Sequence, residues 1–178
     1  MYTTTHTPQT AHRQSHTPQF RYASAFNQDI SGWNTGSVTY MGNTFNGASA
    51  FNADISGWDT SSVTNMMSMF QDASAFNADI SGWDTSSVTT MENMFNGASA
   101  FDAYLPDWDT SSVTEAANMF NGASAWLALH ERVDGTASFD GPPSAWLDTR
   151  PSCTSCEEKL DKLGLVTERA LNVDCVVH

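Results

Sequence analysis

The sequence predicts an α/β fold: a repeat solenoid of about four coils, with one short strand and one short helix per coil and a helical C-terminal cap. Three observations predict it. The segment from Phe51 to Ala75 is followed at once by a near copy, from Phe76 to Ala100. Looser copies begin at Phe26 and Phe101, at the same spacing of 25 residues. Each copy also joins two halves of different hydrophobic period, so each is one supersecondary unit.

Residues 1–19 read as an extended polar arm of Thr, His, Gln and Pro. The arm lacks the apolar stretch of a secretory signal, so no signal peptide is expected in the chain. A half-copy, Phe20 to Ala25, then opens the array, which runs over residues 20–125. Its apolar positions fall in columns. Phe26, Phe51, Phe76 and Phe101 form the first, and Ile30, Ile55, Ile80 and Leu105 the second. Trp33, Trp58, Trp83 and Trp108 form the third, followed by Val38, Val63, Val88 and Val113. Met41, Met66 and Met91 give way to Ala116, and Phe45, Phe70, Phe95 and Phe120 close the set. No single copy can bury these side chains alone. Stacking turns each column into a continuous ladder, and the Phe and Trp ladders are the expected core.

Within a copy, Val63, Met66, Met67 and Phe70 fall at i, i+3, i+4 and i+7, which predicts a helix of two turns. Asp59, Thr60, Ser61 and Ser62 supply its N-terminal acceptors, and Ser112 with Glu115 spells a capping box in the fourth copy. Asn46-Gly47, Asn96-Gly97 and Asn121-Gly122 predict an exit through a left-handed residue. The other half, Phe51 to Trp58, is too short for a helix and predicts a strand centred on Ile55. One strand and one short helix per repeat of this length is the grammar of a leucine-rich-repeat solenoid.

The pattern F-N-x-D-I-S-x-W-D-T-S-S-V-T-x-M-x-x-M-F-x-x-A-S-x resembles the repeats of BspA-like leucine-rich-repeat proteins, found in bacterial surface lipoproteins and in marine microalgae. The resemblance covers Phe20 to Ala125. The fourth copy departs from it, with Tyr104-Leu105-Pro106-Asp107 and with Ala116-Ala117 in place of methionine. The resemblance implies a solenoid that binds partners or adheres, on the cell surface or outside the cell. It implies no catalytic residues and no cofactor.

Charge restricts the partners. The chain carries 20 acidic and 7 basic residues, a formal net charge of −13. No lysine or arginine lies between Arg21 and Arg132. Phosphate backbones and anionic lipids need clustered positive charge, so nucleic acid is not an expected partner. No apolar run reaches the ~20 residues of a membrane helix, and no transmembrane segment is expected.

Candidate chemistry sits in columns too. Asp29, Asp54 and Asp79 align in one, and Asp59, Asp84 and Asp109 in another. Aligned carboxylates repel, so they need hydration, N–H donors or a cation. Turn and cap roles are the preferred reading; calcium between coils is the alternative. The Thr and Ser columns admit an ice-binding reading but are explained by capping. The methionines (Met66, Met67, Met69, Met91, Met94) read as core rather than as a pliable binding face. The array holds no His, Cys or Lys, and a carboxylate pair that recurs along the array is not a single catalytic arrangement. An enzyme is not expected.

Residues 126–178 read as a C-terminal cap and helical tail. Trp126, Leu127, Leu129, Phe139, Trp146 and Leu147 are placed against the last coil. Cys153-x-x-Cys156 and Cys175-x-x-His178 flank a candidate helix. One disulfide from Cys175 to Cys153 or Cys156, a zinc site, or reduced thiols all satisfy that spacing.

Two functions follow from these features. The first is a non-enzymatic scaffold for protein recognition or adhesion through an acidic solenoid surface. The second is a structural or linker subunit of a larger complex, held by its N- and C-terminal extensions.

Overall fold

The structure is a computed structural model that describes residues 19–148, except 136, 137 and 139. The chain divides into two units, Met1–Asp148 and Thr149–His178, and every described residue belongs to the first. The polar arm before residue 19, Phe139 and the Cys153, Cys156, Cys175 and His178 cluster lie outside the described residues.

Consecutive copies lie side by side, joined by parallel backbone bridges from Tyr40 to Asn65, Asn65 to Thr90 and Thr90 to Glu115. The hydrogen bonding of the second half of a copy alternates. In the copy that begins at Phe51, the N–H groups of Met66, Ser68, Phe70 and Asp72 donate to Thr90, Glu92, Met94 and Asn96 of the next, at 2.7–2.9 Å. Between them, Met69, Gln71 and Ala73 donate to carbonyls three residues back, at 3.1–3.3 Å. Every second N–H therefore leaves the copy, and the others close tight turns.

That alternation replaces the expected helix. Residues 67–70 form turns and Asn65 an isolated bridge, with no α-helix, and no strand forms at Ile55. Two causes act together. A two-turn helix is marginal by itself, whereas the rungs satisfy the same N–H groups while bringing the rings of neighbouring copies together. The backbone is also left-handed at Asn43, Ser68, Asn93 and Asn118 (φ 53–60°), which interrupts any right-handed helix mid-copy. Gly47, Gly97 and Gly122 do adopt positive φ, and Asp72 takes that position in its copy. Glu115 does not close a capping box: its N–H donates to Thr89, and its side chain accepts from Thr90 at 3.3 Å.

The apolar columns fill the interior. Phe70 lies 3.7 Å from Phe76 in centroid distance and 5.8 Å from both Phe45 and Phe95. The tryptophans stack at 6.2–6.5 Å, nearly parallel, from Trp33 to Trp108. Each indole N–H of Trp58, Trp83 and Trp108 donates to the carbonyl of Ile30, Ile55 or Ile80 in the preceding copy. Side-chain bonds of this kind tie together the half that lacks rungs. Only Phe26 and Trp33 among the twelve ladder aromatics from Phe26 to Phe120 are half-buried; the others are buried.

Beyond the array the chain forms regular elements: α1 (Ser124–Leu129), β1 (His130–Arg132), a 3-10 turn (Pro143–Ala145) and β2 (Trp146–Asp148). β1 and β2 pair antiparallel, with Arg132 opposite Trp146. Trp126 continues the Phe column, 5.6 Å from Phe101 and 4.4 Å from Phe120. Trp146 meets Phe120 edge-on at 5.5 Å, and Leu127 is half-buried against the same core.

Candidate interaction surfaces

Each aspartate of the two acidic columns is exposed and held in a local turn. Asp54 Oδ1 accepts from the Ser56 N–H at 2.9 Å and from its hydroxyl at 2.7 Å. Asp29 and Asp79 repeat this with Ser31 and Ser81. Asp59 and Asp84 do the same with Ser61 and Ser86, and Asp109 accepts from the Ser111 N–H. The D-x-S spacing in each copy is the local cause, because a short carboxylate reaches the N–H two residues on.

These bonds stabilise the charged form. The Ser56 hydroxyl and N–H hold the Asp54 carboxyl below its ordinary value of 3.8, and Ser61, Ser86 and Ser111 do likewise for Asp59, Asp84 and Asp109. At Asp29 the Ser31 N–H contributes most. The columns also sense themselves: Asp54 pushes Asp29 up, and Asp109 and Asp59 push Asp84 up, but the hydrogen bonds prevail. A carboxyl depressed in the folded state stabilises the fold above its unfolded value. That contribution fades as pH falls below 3.8 and through the depressed values. Unfolding midpoints measured down a pH series should therefore drop below about pH 4. A Ser56→Ala/Ser61→Ala/Ser86→Ala chain, lacking the hydroxyl donors, should lose less over the same interval; an equal loss would contradict the assignment.

The hydroxyl columns are engaged. Thr35, Thr60 and Thr85 donate to the Asp59, Asp84 and Asp109 carbonyls of the next copy, at 2.9–3.0 Å. Thr64, Thr89 and Thr114 donate back to the copy before, at 3.1–3.2 Å. These groups bridge copies rather than stand as a free lattice. Met66, Met69, Met91 and Met94 are buried, and Met67 is half-buried. Among the described residues no group of His, Cys, Asp and Glu is arranged to hold a metal ion.

Two depressions flank the last copy. An open groove of about 570 Å³ runs past Glu92, Glu115 and Asp140. A second, of about 430 Å³, is lined by Tyr104, Trp108, Trp126, His130 and Trp146. The residue that shapes this end was not marked by the repeats. Asp140 Oδ1 accepts from the Asn118 N–H at 2.7 Å, and its Oδ2 accepts from the Ser138 hydroxyl at 2.8 Å. Those two donors hold its carboxyl below the ordinary value. Arg132 secures the segment, donating to the Asp140 carbonyl and pairing with Asp134 at 2.7 Å. Asp140 follows the last copy and belongs to no column, so periodicity gave no signal for it. The asparagine line carries a periodic signal of its own: Asn52, Asn77 and Asp102 each donate an N–H to the side chain of Asn27, Asn52 or Asn77 before it.

No helix among the described residues is long and apolar enough to cross a membrane. No curated protein and no solved structure matches the chain. A family profile described as Mycoplasma protein of unknown function, DUF285, matches residues 14–131 of the 178. That span contains every aromatic and acidic column described above, and the chain belongs to this family of repeat proteins.

Proposed function

We propose that the chain is a non-enzymatic recognition module, a solenoid of the BspA-like leucine-rich-repeat kind that binds protein partners through its acidic surface. One observation carries this reading. Two lines of exposed carboxylates each run through three of the four copies at the repeat interval, each carboxylate fixed by the serine two residues on. Fixed carboxylates at a constant interval suit a partner with several basic side chains, because each contact is weak and their number supplies affinity. Preorganisation lowers the entropic cost of each contact. The residues with polar chemistry recur in every copy, which favours repeated binding over a single reacting centre.

The test uses the full chain and a model partner, an extended peptide with lysines at regular intervals. Binding should weaken steeply with added salt. A chain carrying Asp54→Asn, Asp59→Asn, Asp79→Asn and Asp84→Asn should bind at least roughly tenfold more weakly, since several screened contacts of up to ~1 kcal/mol each are lost. Equal affinity of the two chains would reject the acidic surface as the binding face. Loss of partner capture on removing residues 1–19 or 149–178, with the columns intact, would instead favour a linker subunit held by its extensions.

A further inference from the structure

The C-terminal end of the array has the donor pattern of a surface that receives another copy. In the copy before it, the N–H groups of Met91, Asn93, Phe95 and Gly97 donate to carbonyls of the following copy, as does the Thr85 hydroxyl. Their counterparts in the last copy are Ala116, Asn118, Phe120, Gly122 and Thr110. Among the described residues, Asn118 meets the Asp140 carboxylate and Thr110 meets the Ser144 hydroxyl at 2.8 Å, side chains in place of the next backbone. Among the described residues, no backbone carbonyl accepts from the N–H groups of Ala116, Phe120 and Gly122. Trp146 completes the substitution. Phe70 and Phe95 each contact an indole of the following copy at 6.2–6.3 Å, and Phe120 contacts Trp146 at 5.5 Å.

The opposite end shows complementary columns. Phe26 and Trp33 are half-buried there, whereas Phe51 and Trp58, one copy inward, are 0% and 3% exposed. We infer that the end covered by Asp140, Ser144 and Trp146 is a docking surface for the N-terminal end of a second copy of this chain, and that these three residues act as a plug holding it closed. The occupant follows from the chemistry: rows of N–H donors at the repeat's own spacing, continued by Phe and Trp columns, fit the same repeat. Because the two ends differ, the contact is head-to-tail, so each added copy presents the same free end to the next. Removing the plug exposes a donor edge of the kind that recruits another chain.

Sedimentation of the full-length Asp140→Ala/Trp146→Ala chain over a concentration series tests this. Its weight-average mass should rise with concentration to at least about twice that of the unsubstituted chain. Adding Phe26→Glu and Trp33→Glu at the far end should return it to the unsubstituted value. Association that survives those two charges overturns the head-to-tail assignment, as does a folded, unplugged chain whose mass never rises. If loss of Trp146 prevents folding, as aromatic circular dichroism would reveal, Asp140→Ala/Ser144→Ala keeps the ring cover and removes both acceptors. That chain should show faster hydrogen exchange at Asn118 together with the same rise in mass; faster exchange without association refutes the docking surface.

Discussion

Phe70→Ala should cost about 3–5 kcal/mol of stability, the range for a phenylalanine removed from a packed interior. Phe70 is fully buried and stacks on Phe76 within its own turn, Phe45 on one side and Phe95 on the other. Deleting the ring opens a hole at two copy–copy contacts at once, and rungs on both sides resist collapse into it. Phe26→Ala should cost less, about 1–2 kcal/mol, because that ring is half-buried at the end of the column and loses neighbours on one side only. Urea unfolding of the two variants measures the difference. Stability that is largely a sum of nearest-neighbour contacts requires the inner position to be the more costly. Equal costs would mean that the ladder is not the source of stability.

Gly97→Ala and Gly82→Ala should have opposite signs. Gly97 has φ +75°, where an L-residue is strained by roughly 1–2 kcal/mol. A Cβ there would also press on the Asp72 carboxylate and come within 3.4 Å of the Asp72 Cα in the neighbouring copy. The carboxylate can turn aside but the backbone cannot, so a total loss of about 2–3 kcal/mol is expected. Gly82 is exposed, has no positive φ, and a Cβ there meets nothing within 4 Å. Alanine at that position should leave stability unchanged or raise it by about 0.4–1 kcal/mol, by restricting the unfolded chain. Thermal unfolding of the pair checks both signs. Both glycines recur in the repeat, so a periodic sequence makes them look equivalent.

The columns were readable because a strict interval leaves little freedom over which side chains meet. Phe51 over Phe76 and Trp58 over Trp83 are written in the spacing. The local conformation was harder to read. Val63, Met66, Met67 and Phe70 satisfy a helical pattern, yet Met69 is the methionine beside Phe70 that is buried and Met67 the one left half-buried. A chain that turns every few residues places side chains inward at intervals close to those of a helix, and periodicity over one short segment does not separate the two. The acidic columns were legible as turn-formers from the serine two residues beyond each aspartate. Asp140 was not, since its role depends on an N–H that the array leaves over at its end.

By itself, then, the sequence determined which residues stack, how often, and where charge is excluded or concentrated, because a tandem interval carries over directly into neighbour relations. Only the tertiary structure decided how the backbone inside each copy is bonded. An N–H such as that of Met66 is satisfied by the Thr90 carbonyl of the next copy, a partner that exists only once the copies are side by side. The end of the array was decided the same way. With no further copy to pair with, its donors take whatever acceptor the returning chain brings, and the Asp140 carboxylate is the one that reaches Asn118.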